Sequence, residues 1–160
     1  PVLTPRICKV GKKNVLYIRI IDEYGSEESY DIAGKKLYTF ALLNKLVDEE
    51  TESLGISFDD PSVTEKEKCR FYACINIKKE IKPQGIFGSR AIDGGMYAIF
   101  TLKGAYRNLH DLYKSIWFEW LPASKYKVRR GVHFEKYLNN PSLVDEENIL
   151  TEVYVPIKEK

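Results

Sequence analysis

Three side chains that could do chemistry alternate along one short stretch of the sequence: His133, Glu135 and Tyr137. The composition of residues 132–138 predicts a β-strand. Successive side chains of a strand point to opposite faces, so these three share one face. The other face is apolar and carries Val132, Phe134 and Leu138. A carboxylate between two aromatic side chains either faces water or lines a cavity in which the acid needs a partner. From this strand alone, we favour exposure to water.

The composition limits the functions that this stretch could serve. The 160 residues suffice for one domain with one core, and 25 basic against 23 acidic residues give a net charge of +2. Dedicated nucleic-acid-binding domains carry a much larger basic excess. We therefore expect DNA contact only through an additional domain. The chain begins with Pro1 rather than Met, which is consistent with a piece of a longer protein.

The cysteine and histidine pattern argues against a metal or disulfide framework. Cys8, Cys69 and Cys74 are odd in number and contain no CxxC pair, while His110 and His133 are isolated from other ligand residues. No apolar run approaches the roughly 18 residues of a membrane span, and no phosphate-binding glycine loop occurs. We expect a cytoplasmic protein with no metal, no cofactor and no membrane contact.

The elements that would position the acid follow from apolar periodicity. Two hairpins are predicted, one from strands 5–10 and 14–22 and one from strands 84–91 and 96–103. Helices are predicted over residues 29–50 and 105–121, the second ending because Pro122 bars its continuation. Further strands are predicted at 54–58, 69–78, 132–138 and 150–158.

The sequence also repeats itself at an offset of 80 residues. The offset superposes Tyr17 on Tyr97, the apolar stripes of the two helices on each other, and Pro61 on Pro141. We predict an α+β domain over residues 1–160, built from duplicated βαββ units of about 1–80 and 81–160. Its antiparallel sheet would carry two main helices and a central ligand cleft. Gly55 occupies the position of Glu135 in the first half, so only one half carries the acid.

Four runs in the second half then resemble a known family. They are 94–104 (GGMYAIFTLKG), 120–124 (WLPAS), 134–137 (FEKY) and 150–157 (LTEVYVPI). In order and spacing they resemble the GyrI-like small-molecule (effector) binding superfamily, which includes C-terminal domains of AraC-type and MerR-type multidrug-responsive transcription regulators. Lys125 departs from this pattern, because the family usually has Gly there.

The resemblance implies a bacterial sensor domain that binds small lipophilic, often cationic molecules in the cleft. It identifies Glu135 as the acid of the pocket and reverses our preference for exposure to water. Candidates for the aromatic walls are Tyr137, Tyr97, Trp117, Trp120 and, from the first helix, Tyr38. Trp117 and Trp120 also lie on the core stripe of their helix, so a packing role is equally open.

Two alternative functions stay open at this point. A few relatives are hydrolases of reactive small molecules, and Glu135 beside a tyrosine could act as a general base on water. Other relatives inhibit gyrase through protein contact, for which a surface dominated by one sign of charge would be the signature. The sequence leaves the ligand's identity and the oligomeric state undetermined.

Overall fold

The computed structural model describes residues 3–160, except for the side chain of Glu27. These residues form two compact units. The first unit is Lys12–Ile92, and the second is Asp93–Lys160 together with the residues up to Gly11. The chain therefore passes from one unit to the other after Gly11 and again after Ile92, and the N-terminal strand belongs to the second unit. The predicted repeats of about 1–80 and 81–160 stay a prediction.

The first unit is a four-stranded antiparallel sheet with one helix. Its elements are β2 (Lys13–Ile21), α1 (Glu27–Leu43), β3 (Ser53–Ser57), β4 (Arg70–Ile77) and β5 (Phe87–Ile92). The strands lie in the order β3–β4–β2–β5. Leu16, Ile18 and Ile20 are buried on one face of β2. Helix α1 covers this face, since Phe87, the β5 partner of Ile18, stacks on Phe40 of α1 at 4.2 Å.

Helix α1 ends earlier than the predicted 29–50. Its buried stripe is Ala33, Leu37 and Ala41, spaced four residues apart, whereas Ile32 and Leu43 of the predicted stripe are 47% and 78% exposed. The helix stops at Leu43 because Lys45 adopts a left-handed φ of 56°, and the Lys45 and Leu46 amides then donate back to the Leu42 and Ala41 carbonyls.

The second unit is also an antiparallel sheet with a helical segment. Its elements are β1 (Arg6–Val10), β6 (Gly95–Lys103), α2 (Leu109–Ser115), α3 (Leu121–Ala123), β7 (Tyr126–Val128), β8 (Phe134–Tyr137) and β9 (Leu150–Glu159). The strands follow the order β1–β6–β9–β8, and β7 pairs with the C-terminal part of β9. With the first unit, this confirms the predicted α+β class of antiparallel strands and two main helices.

The predicted helix 105–121 is present but changes its winding along its length. A 3₁₀ turn at Tyr106–Asn108 precedes α2, and a π-helical turn at Ile116–Trp120 joins α2 to α3. The helix ends at Ala123, one residue beyond Pro122. Ile116 is fully buried against the sheet residues Ala98, Phe100, Val153, Val155 and Ile157.

Both predicted hairpins are wrong. Among the described residues, β1 pairs with β6, and β5 pairs with β2. The glycines that suggested the second hairpin turn serve another purpose. Gly95 has φ 138°, and a Cβ there would lie 2.8 Å from the Arg129 guanidinium. Gly95 therefore allows close packing of Arg129 and does not form a two-residue turn.

The strand ladders bear on the predicted duplication. In the first unit Gly55 of β3 pairs with Ala73, and in the second unit Glu135 pairs with Val153, each residue 80 positions later. The β2–β4 ladder pairs Tyr17 with Cys74, but the β6–β9 ladder pairs Tyr97 with Pro156. Tyr17 and Tyr97 are therefore not equivalent in their ladders. The duplication itself stays a prediction.

Three further facts concern membrane-spanning helices, the cysteines and metal-ligating side chains. No helix within residues 3–160 is both long and apolar enough to span a membrane. The three cysteines are free thiols. The described side chains contain no cluster of three or more His, Cys, Asp or Glu residues suited to a metal ion.

Candidate functional site

Glu135 lies in the middle of β8 and is buried, with 7% of its surface exposed. It pairs with Val153 of β9, and directly opposed residues of an antiparallel pair point to the same face. Val153 belongs to the core that packs against Ile116. The carboxylate therefore points to the helix-covered face of the sheet, and the initial expectation that it faces water is wrong.

Two tyrosine hydroxyls hold the Glu135 carboxylate. The Tyr113 hydroxyl donates to Oε2 at 2.7 Å, and the Tyr137 hydroxyl donates to Oε1 at 2.8 Å. Tyr137 comes from the same face of β8, whereas Tyr113 comes from α2. The two donors fix the carboxylate in one orientation as an acceptor of hydrogen bonds.

Further aromatic side chains surround this carboxylate. The rings of Tyr106 and Tyr137 meet edge to face with centroids 5.7 Å apart. His133 meets Tyr113 at 5.8 Å and Trp117 at 5.9 Å, again edge to face. We refer to the five residues around Glu135 as the aromatic cluster: Tyr106, Tyr113, Trp117, His133 and Tyr137.

The environment shifts the ionisation of these groups. Burial raises the pKa of Glu135, although the Tyr113 and Tyr137 hydroxyls act in the opposite direction. Burial and then the Glu135 charge raise the pKa values of Tyr106 and Tyr113. Burial alone lowers the pKa of His133, so its neutral form is favoured.

The Glu135 charge has no positive partner among the described side chains of its unit. The ion pairs of this unit involve other acids, such as Glu146 with Arg107 and Glu152 with Arg6. A buried carboxylate without a cation is costly to ionise, and hydroxyl donors offset only part of this cost. Glu135 is therefore a buried acid whose charge the surrounding hydroxyl donors compensate only in part.

Not all predicted wall residues lie near the acid. Tyr137 and Trp117 belong to the aromatic cluster. Trp120 instead packs edge-on against Phe100 at 5.1 Å and stacks on Tyr126, which is a core position. Tyr38 belongs to the first unit, where its hydroxyl forms a 2.7 Å hydrogen bond with Ser53 Oγ.

Tyr97 lies on the opposite face of the second unit's sheet from Glu135. It is fully buried, and its ring contacts Phe134 and Tyr154, whose side chains point away from the helix-covered face. Its hydroxyl donates to the Asp93 carbonyl at 2.8 Å, and the Arg129 guanidinium lies 4.8 Å from its ring centroid. Tyr97 is therefore part of a second core and does not contact the carboxylate.

The sequence interpretation missed Tyr106 and Tyr113 as members of the site and left His133 without a role. Tyr113 had a signal, because it lies on the apolar helix stripe yet carries a hydroxyl that must find a partner when buried. Tyr106 had none, because it precedes the regular part of the helix, in the 3₁₀ turn.

Comparison with known proteins places this geometry in context. A family model described as a GyrI-like small molecule binding domain matches residues 3–158. The probable transcriptional regulator YgiV of Escherichia coli (strain K12) is 32% identical over 113 residues, which is 68% of each chain.

Three solved structures, of two proteins, have the same fold at 14–15% identity. The C-terminal domain of EcmrR matches with a TM-score of 0.78 over the full length of both chains, and this chain spans 58% of EcmrR in its DNA complex, with a TM-score of 0.81. SAV2435, solved bound to tetraphenylphosphonium, matches with a TM-score of 0.63, covering 98% of this chain and 94% of that one.

Proposed function

Because the chain belongs to the GyrI-like small molecule binding domain family, we propose that it is a sensor for lipophilic cations with Glu135 as its acidic anchor. The observation that carries this proposal is the buried Glu135 carboxylate, which two tyrosine hydroxyls orient and no cation in its unit neutralises. A bound cation would supply the missing charge.

The aromatic cluster supports a flat or bulky apolar cation in preference to a hydrated ion. A cation over an aromatic face gains about 0.5–2 kcal/mol, more when water is excluded. Rings tolerate many ligand shapes, whereas a narrow substrate would need several directed hydrogen bonds. Broad recognition of lipophilic cations follows from this chemistry, and the tetraphenylphosphonium bound by SAV2435 belongs to that class.

We further propose that the domain regulates transcription when joined to a DNA-binding domain, as in regulators of AraC or MerR type. YgiV is a probable transcriptional regulator, and EcmrR, which is longer than this chain, has been solved in a complex with DNA. The net charge of +2 gives this chain little attraction for DNA by itself. DNA contact would therefore come from the additional domain.

Titration with tetraphenylphosphonium tests the anchor. We expect Glu135→Gln to weaken binding by about tenfold or more, because a charge-assisted contact contributes roughly 1.5–3 kcal/mol. Glu119→Gln, an exposed change on the π-helical turn, is the matched control and should bind as the wild type does. Isothermal titration calorimetry measures all three affinities. Equal affinities for wild type and Glu135→Gln would refute the anchor role.

Incubation of the same variants with a hydrolysable cationic ester separates binding from hydrolysis. Recovery of a hydrolysable cationic ester unchanged after incubation would support a sensor. Conversion that Glu135→Gln abolishes would support the general-base alternative.

A further inference from the structure

A second cluster of aromatic and charged side chains lies in the first unit, on the sheet face opposite α1. Tyr17 follows Leu16 and precedes Ile18 along β2, so its side chain points away from the helix-covered face. Its ring stacks on Tyr72 of β4 with centroids 4.0 Å apart and 9° between the planes. Phe58 meets Tyr72 edge to face at 4.5 Å. All three rings are partly exposed.

The backbone of β5 holds Tyr17 in place. Tyr17 pairs with Gly88, and a Cβ at Gly88 would lie 2.5 Å from Cζ and from the hydroxyl oxygen of Tyr17. The missing side chain lets the ring lie directly on the strand. The stacked pair is therefore a fixed platform.

Two arginines flank this platform without a carboxylate partner. Arg19 lies two residues after Tyr17 on β2, and Arg90 of β5 pairs with Val15, two residues before it. Both lie close enough to lower the pKa of Tyr17, against the stronger effects of burial and Tyr72. Among the described residues of the first unit, no acid forms an ion pair with either guanidinium.

The neighbouring Arg70 is an arginine of this unit that does have a carboxylate partner. Its Nε and Nη2 donate to the two oxygens of Asp59 at 3.0 and 3.1 Å. Arg70 and Arg90 both approach the Phe58 ring, at 5.9 and 5.7 Å from its centroid. However, among the described residues the Arg90 side chain donates a single hydrogen bond, to the backbone carbonyl of Ala91 at 3.4 Å. Most of its donors therefore stay available.

We propose that Tyr17, Phe58, Tyr72, Arg19 and Arg90 form a binding site for a small aromatic anion, a planar ring that carries a phosphate or carboxylate group. Guanidinium groups recognise such oxyanions through paired N–H donors, while the rings contact the planar part. Nucleic acid is a poorer fit, since its binding depends largely on contacts to many phosphates, and this site offers two arginines. This site involves neither Glu135 nor the aromatic cluster.

Titration with phenyl phosphate and with benzoate tests the site, using the whole chain. We expect the double variant Arg19→Gln/Arg90→Gln to lose affinity by about tenfold or more for whichever anion the wild type binds. Arg107→Gln, which changes an exposed arginine paired with Glu146 in the second unit, is the matched control and should keep wild-type affinity. Comparing the two anions distinguishes a phosphate ester from a carboxylate as the natural ligand.

Several outcomes would overturn this assignment. They are no binding of either anion by the wild type, unchanged affinity in the double variant, and inorganic phosphate binding as tightly as phenyl phosphate. A short single-stranded oligonucleotide that binds more tightly and depends on the same arginines would assign the surface to nucleic acid. Unchanged melting temperatures would show that the variants fold, and tetraphenylphosphonium binding would report separately on Glu135.

Discussion

At the scale of single residues, the central feature is a carboxylate held by hydroxyls instead of by a cation. Tyr113 and Tyr137 each donate to one oxygen of Glu135 without neutralising its charge. A basic residue in their place would stabilise the empty protein but would compete with a cationic ligand. Under the proposed function, a cationic ligand would supply the stabilisation that the hydroxyls do not.

The raised pKa of Glu135 predicts a pH dependence of stability. Because the folded state binds this proton more tightly than the unfolded chain, the associated stability is complete below the ordinary glutamate pKa of about 4.3. It is lost as the pH rises through the raised pKa. Glu135→Gln removes this loss. As the pH rises from 4 to 7, the free energy of unfolding of the variant should therefore increase relative to that of the wild type. Urea unfolding at several pH values measures the difference, and parallel curves would contradict the prediction.

His133 provides a control of opposite sign. Its lowered pKa means that its stability contribution is present above about pH 6.5 and is lost as the pH falls toward the lowered value. His133→Phe keeps an aromatic ring beside Tyr113 and Trp117 but cannot titrate. It should therefore remove the acid-side loss and leave the Glu135 effect in place.

At the scale of elements, the helical segments that cover the sheets of the two units differ in the side chains that they contribute. The buried stripe of helix α1 is Ala33, Leu37 and Ala41, and Phe40 beside it stacks on Phe87 of β5. The α2 segment instead carries Ile116 into the core and Tyr113 to the carboxylate. The α2 segment therefore both covers its sheet and supplies a hydroxyl donor to a buried acid, whereas the buried stripe of α1 is wholly apolar.

Two glycines in the first unit predict opposite effects of one substitution. Gly34 lies within α1 with nothing within 4 Å of an added Cβ, so Gly34→Ala should stabilise by about 0.5–1 kcal/mol. Gly88→Ala would displace the Tyr17 ring from its stack on Tyr72 and should destabilise the fold by about 1–3 kcal/mol. Urea unfolding of both variants at neutral pH makes the comparison. Equal changes would mean that the Tyr17 ring moves freely.

At the scale of the whole molecule, the chain contributes its N-terminal strand to the second unit before it builds the first. Strand β1 pairs with β6 from Arg6 opposite Ile99 to Val10 opposite Gly95. Strand β2, which follows within three residues, pairs with β4 and β5 instead. The second unit therefore needs residues from both ends of the chain, and it cannot be completed until β6 has been made.

Deletion of residues 1–11 tests this connectivity. Hydrogen exchange should accelerate in β6, which loses a neighbouring strand, while β2 keeps its protection. The predicted hairpin of β1 with β2 would give the reverse result. Exchange of β9, which pairs with β6 on its other edge, reports whether the remaining sheet stays folded.

The sequence by itself determined the elements that depend on local patterns. Apart from the C-terminal end of α1 and strand β7, which was not predicted, apolar periodicity predicted the helices and strands to within a few residues. Alternation placed Glu135 and Tyr137 on one face. Both signals repeat at short, fixed spacings. The four motifs also predicted the family. Strand pairing could not be predicted from local patterns. Gly11 and the pair Gly94 and Gly95 have the features of hairpin turns, but these features do not determine which strands pair.

Only the tertiary structure decided which aromatic residues meet the acid. Tyr97 was assigned to the site and lies on the other face of the sheet, while Tyr113, from a separate element, donates to Glu135. A side chain's partner depends on how a helix is rotated on its sheet and on the register between strands. Both are set by packing between residues far apart in the chain, which no local spacing encodes.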